Sequence, residues 1–105
     1  MQKPTRILIV DDEADLRASI ISILEQEIPP PLTCDQAATG VEAIKLVENN
    51  FYDLILMDVK MPEMDGLQAL QKIKELDPRT FVVIITAHSN VRDAIEAIKE
   101  GAYDY

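Results

Sequence analysis

The sequence predicts an α/β domain, a parallel sheet with helices against both of its faces. Two observations predict this. Short apolar runs of strand length alternate with longer stretches of helical periodicity along the chain. The run from Arg6 to Val10 is also short and rich in β-branched residues, the pattern of a strand buried on both faces rather than a half-exposed one. A third observation concerns where the runs stop. "RILIVDD" (6–12) and "LILMD" (54–58) pass without a break from apolar residues into carboxylates.

The first strand is expected over Arg6 to Val10, where three β-branched residues crowd together. Leu16, Ile20, Ile23 and Leu24 then recur at helical spacing, so a helix is expected from about Glu13 to Gln26. Pro29 to Pro31 stop it, because proline lacks the amide proton and clashes with the preceding turn. Leu32 to Ala38 is a weaker strand candidate. "TGVE" (39–42) has the Thr-x-x-Glu spacing of a capping box and opens a second helix ending near Asn49. Asp53 to Met57 is the third strand. "DGLQALQKIKEL" (65–76) opens on an Asp cap and ends before Asp77-Pro78. "FVVIIT" (81–86) is the fourth strand. Val91, Ala94, Ile95, Ile98 and Ala102 mark a fourth helix closed by Gly101.

With 105 residues, the chain has the length of one domain. Its 48% apolar content is that of a chain with a core. The net charge of −9 argues against binding a nucleic-acid backbone by this segment, which would need a basic face. Cys34 is the only cysteine, so no internal disulfide can form, and a reducing cytoplasm is the expected setting. No run approaches the ~18 apolar residues of a membrane span.

In open parallel sheets, ligands bind beyond the carboxyl ends of the strands, where the strand order reverses. In a flavodoxin-like doubly wound order, 2-1-3-4-(5), that point lies between strands 1 and 3. Asp11, Asp12 and Asp58 then meet in one crevice, on strands about 4.8 Å apart. Three anions this close repel one another and call for protonation or a cation. An oxygen-only cluster suits a hard divalent ion such as Mg²⁺. A carboxylate beside such an ion can also act as a nucleophile toward phosphorus. Thr86 at the end of the fourth strand would add a hydroxyl donor, with the small Ala87 leaving room.

Asp11-Asp12, Asp58 within "LMDVKMPEMDG", Thr86-Ala87 and "GAYDY" (101–105) together resemble the receiver domain of two-component response regulators. The resemblance runs from Arg6 to Tyr105. It implies that Asp58 is the phosphoacceptor for a sensor histidine kinase. Asp12 and Asp58 would bind Mg²⁺ directly, Asp11 through water, and Lys60 through its backbone carbonyl. Thr86 would hydrogen-bond the phosphoryl group, and Tyr105 would follow it inward as an aromatic switch. Such a domain is regulatory rather than an enzyme, and it passes its state to an output domain or target protein.

The family continues into a Lys-Pro and a last helix, and the sequence ends at Tyr105. The expectation is therefore a C-terminally incomplete receiver over 1–105, with any output domain outside the sequence. Such a chain would be less stable than a longer one and prone to self-association. Two rivals stand beside the switch. One is a receiver-like interaction module that never takes phosphate. The other is a Mg²⁺-dependent phosphohydrolase, which often needs a carboxylate two residues after its nucleophile. Lys60 occupies that position. His88, two residues after Thr86, reads as a surface histidine.

Overall fold

The computed structural model describes residues 4–58 and 66–85. Seven elements lie among them: β1 (Thr5–Val10), α1 (Ala14–Glu27), β2 (Leu32–Ala37), α2 (Gly40–Asn49), β3 (Leu54–Asp58), α3 (Gly66–Leu76) and β4 (Phe81–Ile85). The strands form one sheet in the order β2-β1-β3-β4, and every pair is parallel. This is the doubly wound 2-1-3-4 order expected. Its fifth strand and the fourth helix marked by Val91 to Ala102 fall outside the described residues.

The alternation of side chains along each strand divides the core in two. Leu8 and Val10 of β1 join Ile55 and Met57 of β3 on one face, against Ala43 and Val47 of α2 and Ala69 and Ile73 of α3. Ile7 and Ile9 join Leu54, Leu56 and Val83 on the other face, against Ile20 and Leu24 of α1. Leu16 and Ile23, expected on the same helical face, are partly buried beside them. Each fully buried Val, Leu, Ile or Met side chain among them contributes roughly 1.5–3 kcal/mol by leaving water, and each alanine less.

Most boundaries agree with the sequence to within a residue, and the small shifts have local causes. β1 starts at Thr5, whose N–H donates to the Pro31 carbonyl at 3.0 Å. α1 runs over Ala14–Glu27 rather than Glu13 to Gln26. Glu13 keeps an extended backbone at the cap position, and Ile28 closes the helix by donating to Leu24 O at 2.8 Å. β2 stops at Ala37, because Ala38 gives its N–H to Glu42 Oε1 at 2.8 Å. Thr39 Oγ1 in turn accepts from Glu42 N at 3.1 Å. The capping box therefore forms, with its return arm reaching one residue beyond the cap.

β3 is displaced by one residue from the expected Asp53 to Met57. Asp53 sits in a bend and clasps β1 instead: its N–H donates to Arg6 O at 2.8 Å, and its Oδ2 accepts Arg6 N–H at 2.8 Å. α3 ends as expected, with Asp77 N donating to Ile73 O at 2.8 Å. The Lys74 ammonium ties the turn that follows, donating to Pro78 O at 3.0 Å and Thr80 O at 2.6 Å.

Arg6, Asp35 and Tyr52 join β1, β2 and the segment before β3. The guanidinium donates to Asp35 Oδ2 and Asn50 Oδ1, both at 3.3 Å, and lies 5.3 Å from the centre of the Tyr52 ring. The Tyr52 hydroxyl donates to the same Asp35 oxygen at 2.6 Å. Tyr52 is buried, so its phenol is pushed well above its ordinary value of 10.0, first by burial and then by the Asp35 carboxylate. The neutral phenol is the form the fold holds. Its contribution is complete below pH 10.0 and declines above it, as the unfolded chain begins to ionise there. Tyr52→Phe should cost about 1.5–3 kcal/mol at neutral pH, the worth of one hydrogen bond to a charged group. It should also flatten the loss of stability above pH 10. Urea melts of both proteins at neutral and alkaline pH check this, and equal melts at both would show the bond to be inconsequential.

Cys34 is free and half-buried. Burial, with the Glu25 and Asp35 carboxylates nearby, raises its thiol above the ordinary 9.0 and keeps it protonated at neutral pH.

Candidate functional site

The carboxyl ends of β1 and β3 are neighbours. Val10 pairs with Met57 in parallel register. Asp11 and Asp58, each one residue further on, therefore occupy matching positions at the edge of the sheet, about 4.8 Å apart by the spacing of strands. Asp58 is the last residue of β3, and its backbone pairs with Ile85 of β4. Sheet pairing fixes where the Asp58 backbone lies, and its side chain is outside the description.

Asp11 is held from three directions. Its N–H donates to Ala37 O at 3.1 Å, which extends the pairing of β1 with β2 by one residue. Its Oδ1 accepts the Glu13 N–H at 2.8 Å, a turn that leads the chain into α1. Its carbonyl accepts from Arg17 Nη1 at 2.6 Å. The residue is buried, at 4% exposure, whereas Asp12 beside it is exposed. One carboxylate of the pair is thus fixed within the fold and the other faces water, where it can reach an incoming cation.

Arg17 and Gln36 had not been singled out by sequence reasoning. Arg17 lies on α1, and its Nε donates to Gln36 Oε1 of β2 at 2.9 Å while its Nη1 holds Asp11 O. A signal for Arg17 was present. A cation at the first turn of a helix opposes the helix dipole, which favours anions there. Its presence among Asp11, Asp12, Glu13 and Asp15 calls for a specific acceptor.

Lys60, Thr86, Ala87, His88 and Tyr105 lie outside the described residues. Among the described residues, no three His, Cys, Asp or Glu side chains converge to hold a metal ion. Of the donor set expected from the sequence, Asp11 and Asp12 are the residues whose side chains are described. Its chemistry, carboxylate oxygen without nitrogen or sulfur, fits Mg²⁺, which takes one or two carboxylates and retains water. No helix among the described residues is long and apolar enough to cross a membrane.

The model of the response regulator receiver domain matches residues 7–105. The chain belongs to this family. The receiver is 38% identical over 100 residues to the regulatory protein AtoC of Escherichia coli, covering 95% of this chain and 21% of that protein. It spans about a fifth of the length of the curated relatives it matches. Solved structures resemble it over most of their length. The receiver domain of NtrC4 from Aquifex aeolicus is 41% identical with a TM-score of 0.69, covering 94% of this chain and 79% of that one. The response regulator TrrA from Thermotoga maritima, solved in complex with Mg²⁺–BeF, is 31% identical with a TM-score of 0.75. That match covers 96% of this receiver and 84% of TrrA. As a receiver, the chain is a regulatory domain of a two-component response regulator, and its relatives include transcriptional regulators.

Proposed function

We propose that this receiver is a phosphorylation-dependent switch with Asp58 as its phosphoacceptor. The observation that carries the reading is the register of β1 on β3, which sets Asp11 and Asp12 beside the last residue of β3. An Asp58 carboxylate oxygen attacks the phosphorus of a phosphohistidine on a sensor histidine kinase. The P–O bond forms as the P–N bond breaks, and the electron pair leaves with the imidazole. Asp12 and Asp58 would hold Mg²⁺ directly, with the Lys60 carbonyl completing the protein set and Asp11 acting through water. Bound there, Mg²⁺ supplies positive charge to the oxygens of the transferring group. The complex of the TrrA neighbour with Mg²⁺–BeF supports this cofactor.

Thr86 then donates its hydroxyl to the phosphoryl oxygen, and Tyr105 turns inward behind it. The surface of β4 and the helix after it changes, and an output domain or target protein reads the change. This is signalling in the cytoplasm, without contact to nucleic acid by this domain.

Incubation with Mg²⁺ and acetyl phosphate separates the possible readings. A stable one-phosphoryl adduct supports the switch. Continuous turnover of phosphate would indicate a phosphohydrolase, and no reaction would indicate an interaction module.

A further inference from the structure

We propose that Arg17 is a positioning residue for the acidic site, acting through the Asp11 carbonyl. The inference rests on the reading of Asp12 as a Mg²⁺ ligand, and it adds a residue to that site.

The Asp11 carbonyl belongs to the peptide that joins the buried Asp11 to the exposed Asp12. Rotation of that peptide would move the Asp12 carboxylate while leaving β1 paired. Arg17 Nη1 holds the carbonyl at 2.6 Å, a short charge-assisted bond. Its Nε is anchored at 2.9 Å on Gln36 of β2. The fork therefore ties the peptide to a neighbouring strand as well as to α1. Asp11 Oδ1 meanwhile holds Glu13 N at 2.8 Å, so the peptides on both sides of Asp12 are restrained. A carboxylate presented between two fixed points meets a metal ion with less freedom to lose, and Mg²⁺ demands near-ideal geometry.

A guanidinium near a cation site also repels the cation. Its two possible effects have opposite signs, so an experiment can tell them apart. If positioning prevails, Arg17→Ala weakens Mg²⁺ binding. If repulsion prevails, the same change tightens it. Arg17→Lys keeps one charged donor for the Asp11 carbonyl but loses the second bond to Gln36, so under positioning it falls between the unaltered protein and Arg17→Ala.

The test is Mg²⁺ titration of the protein followed by amide chemical shifts, with thermal melting in parallel. Arg17→Ala should raise the Mg²⁺ Kd by about tenfold, the lower end for outer partners of metal ligands. Arg17→Lys should raise it less. Gln36→Leu frees the outer end of the fork and should raise Kd in the same direction. The double variant Arg17→Ala/Gln36→Leu should be no weaker than Arg17→Ala, because the two act as one unit. A lowered melting temperature with unchanged or tighter Mg²⁺ binding in Arg17→Ala and Arg17→Lys would overturn the proposal, leaving Arg17 a purely structural residue. If Asp12→Ala binds Mg²⁺ as well as the unaltered protein does, the reading of the site itself fails and the proposal falls with it. That pattern is distinct from a failure confined to Arg17. Should Arg17→Ala not fold, the Arg17→Lys and Gln36→Leu titrations decide, and unchanged Kd in both overturns the proposal.

Discussion

Asp58→Asn is expected to abolish covalent phosphorylation while leaving the fold intact. The carboxamide nearly matches the carboxylate in shape, so β3 and its pairing with β1 and β4 have no reason to change. What is lost is the anionic oxygen that attacks phosphorus, together with one ligand for the cation. Asp11 sits at the matching position on β1, but it is buried and its Oδ1 is engaged by Glu13 N. Asp12 is exposed, but it leads into α1 rather than ending a strand beside β4. Neither is placed to substitute. Intact-mass spectrometry after acetyl phosphate treatment should therefore show one added phosphoryl on the unaltered protein and none on Asp58→Asn. The adduct should be labile to base and hydroxylamine, as an acyl phosphate is. An equal gain of mass in the variant would place the acceptor elsewhere.

Asp12→Ala should separate two effects that share one residue. With the side chain gone, the site loses an anionic ligand, and Mg²⁺ should no longer raise the melting temperature. Without metal, the like-charge repulsion around Asp11 is relieved, and stability should hold or rise. The repulsion is modest because Asp12 is exposed and water screens it. A single unit of charge removed at such a site amounts to roughly 1 kcal/mol at about 4 Å in water. Melting of both proteins with and without Mg²⁺ reads both signs together. Clear stabilisation of Asp12→Ala by Mg²⁺ would count against the site, and marked metal-free destabilisation would mean that Asp12 is a structural residue.

The sequence and the structure agree most closely where one residue's neighbours lie on its own element. Ile7 to Val10, Ile20 with Leu24, and Ala69 with Ile73 declare strand or helix by spacing alone. The strand order followed from the handedness and packing of alternating units together with a family resemblance. The acidic pair could be read because it interrupts apolar runs, and an interruption is visible without knowing what it faces. The Arg6–Asp35–Tyr52 group and the Arg17–Gln36 bond could not be read in the same way. Arg6 and Asp35 are 29 positions apart, and Arg17 and Gln36 are 19 apart. Such pairs depend on how elements distant in sequence lie against one another, here β1 and α1 against β2, which no local pattern specifies. The one-residue shift of β3 has the same origin. Asp53 follows a run of loop residues and precedes apolar ones, so spacing alone leaves it in the strand. Its reciprocal bonds with Arg6 take it out.

The division of β1 between two cores has a consequence for how this chain tolerates change in length. Ile7 and Ile9 serve one face while Leu8 and Val10 serve the other, and both sets are buried. A deletion or insertion of one residue within the strand would exchange the two sets, because side chains alternate at every step. It would also displace the acid pair along the sheet by about 3.3 Å, one residue's rise. Either displacement alone would impair the domain, and no single later substitution could repair both. Lineages carrying such a domain should therefore vary in length between strands and hold a fixed count within β1. Reading-frame-preserving gains and losses should collect at the exposed Pro29 and Pro30 between α1 and β2, since Ile28 before them packs on the core and closes α1, and the Pro31 carbonyl after them holds Thr5 N–H.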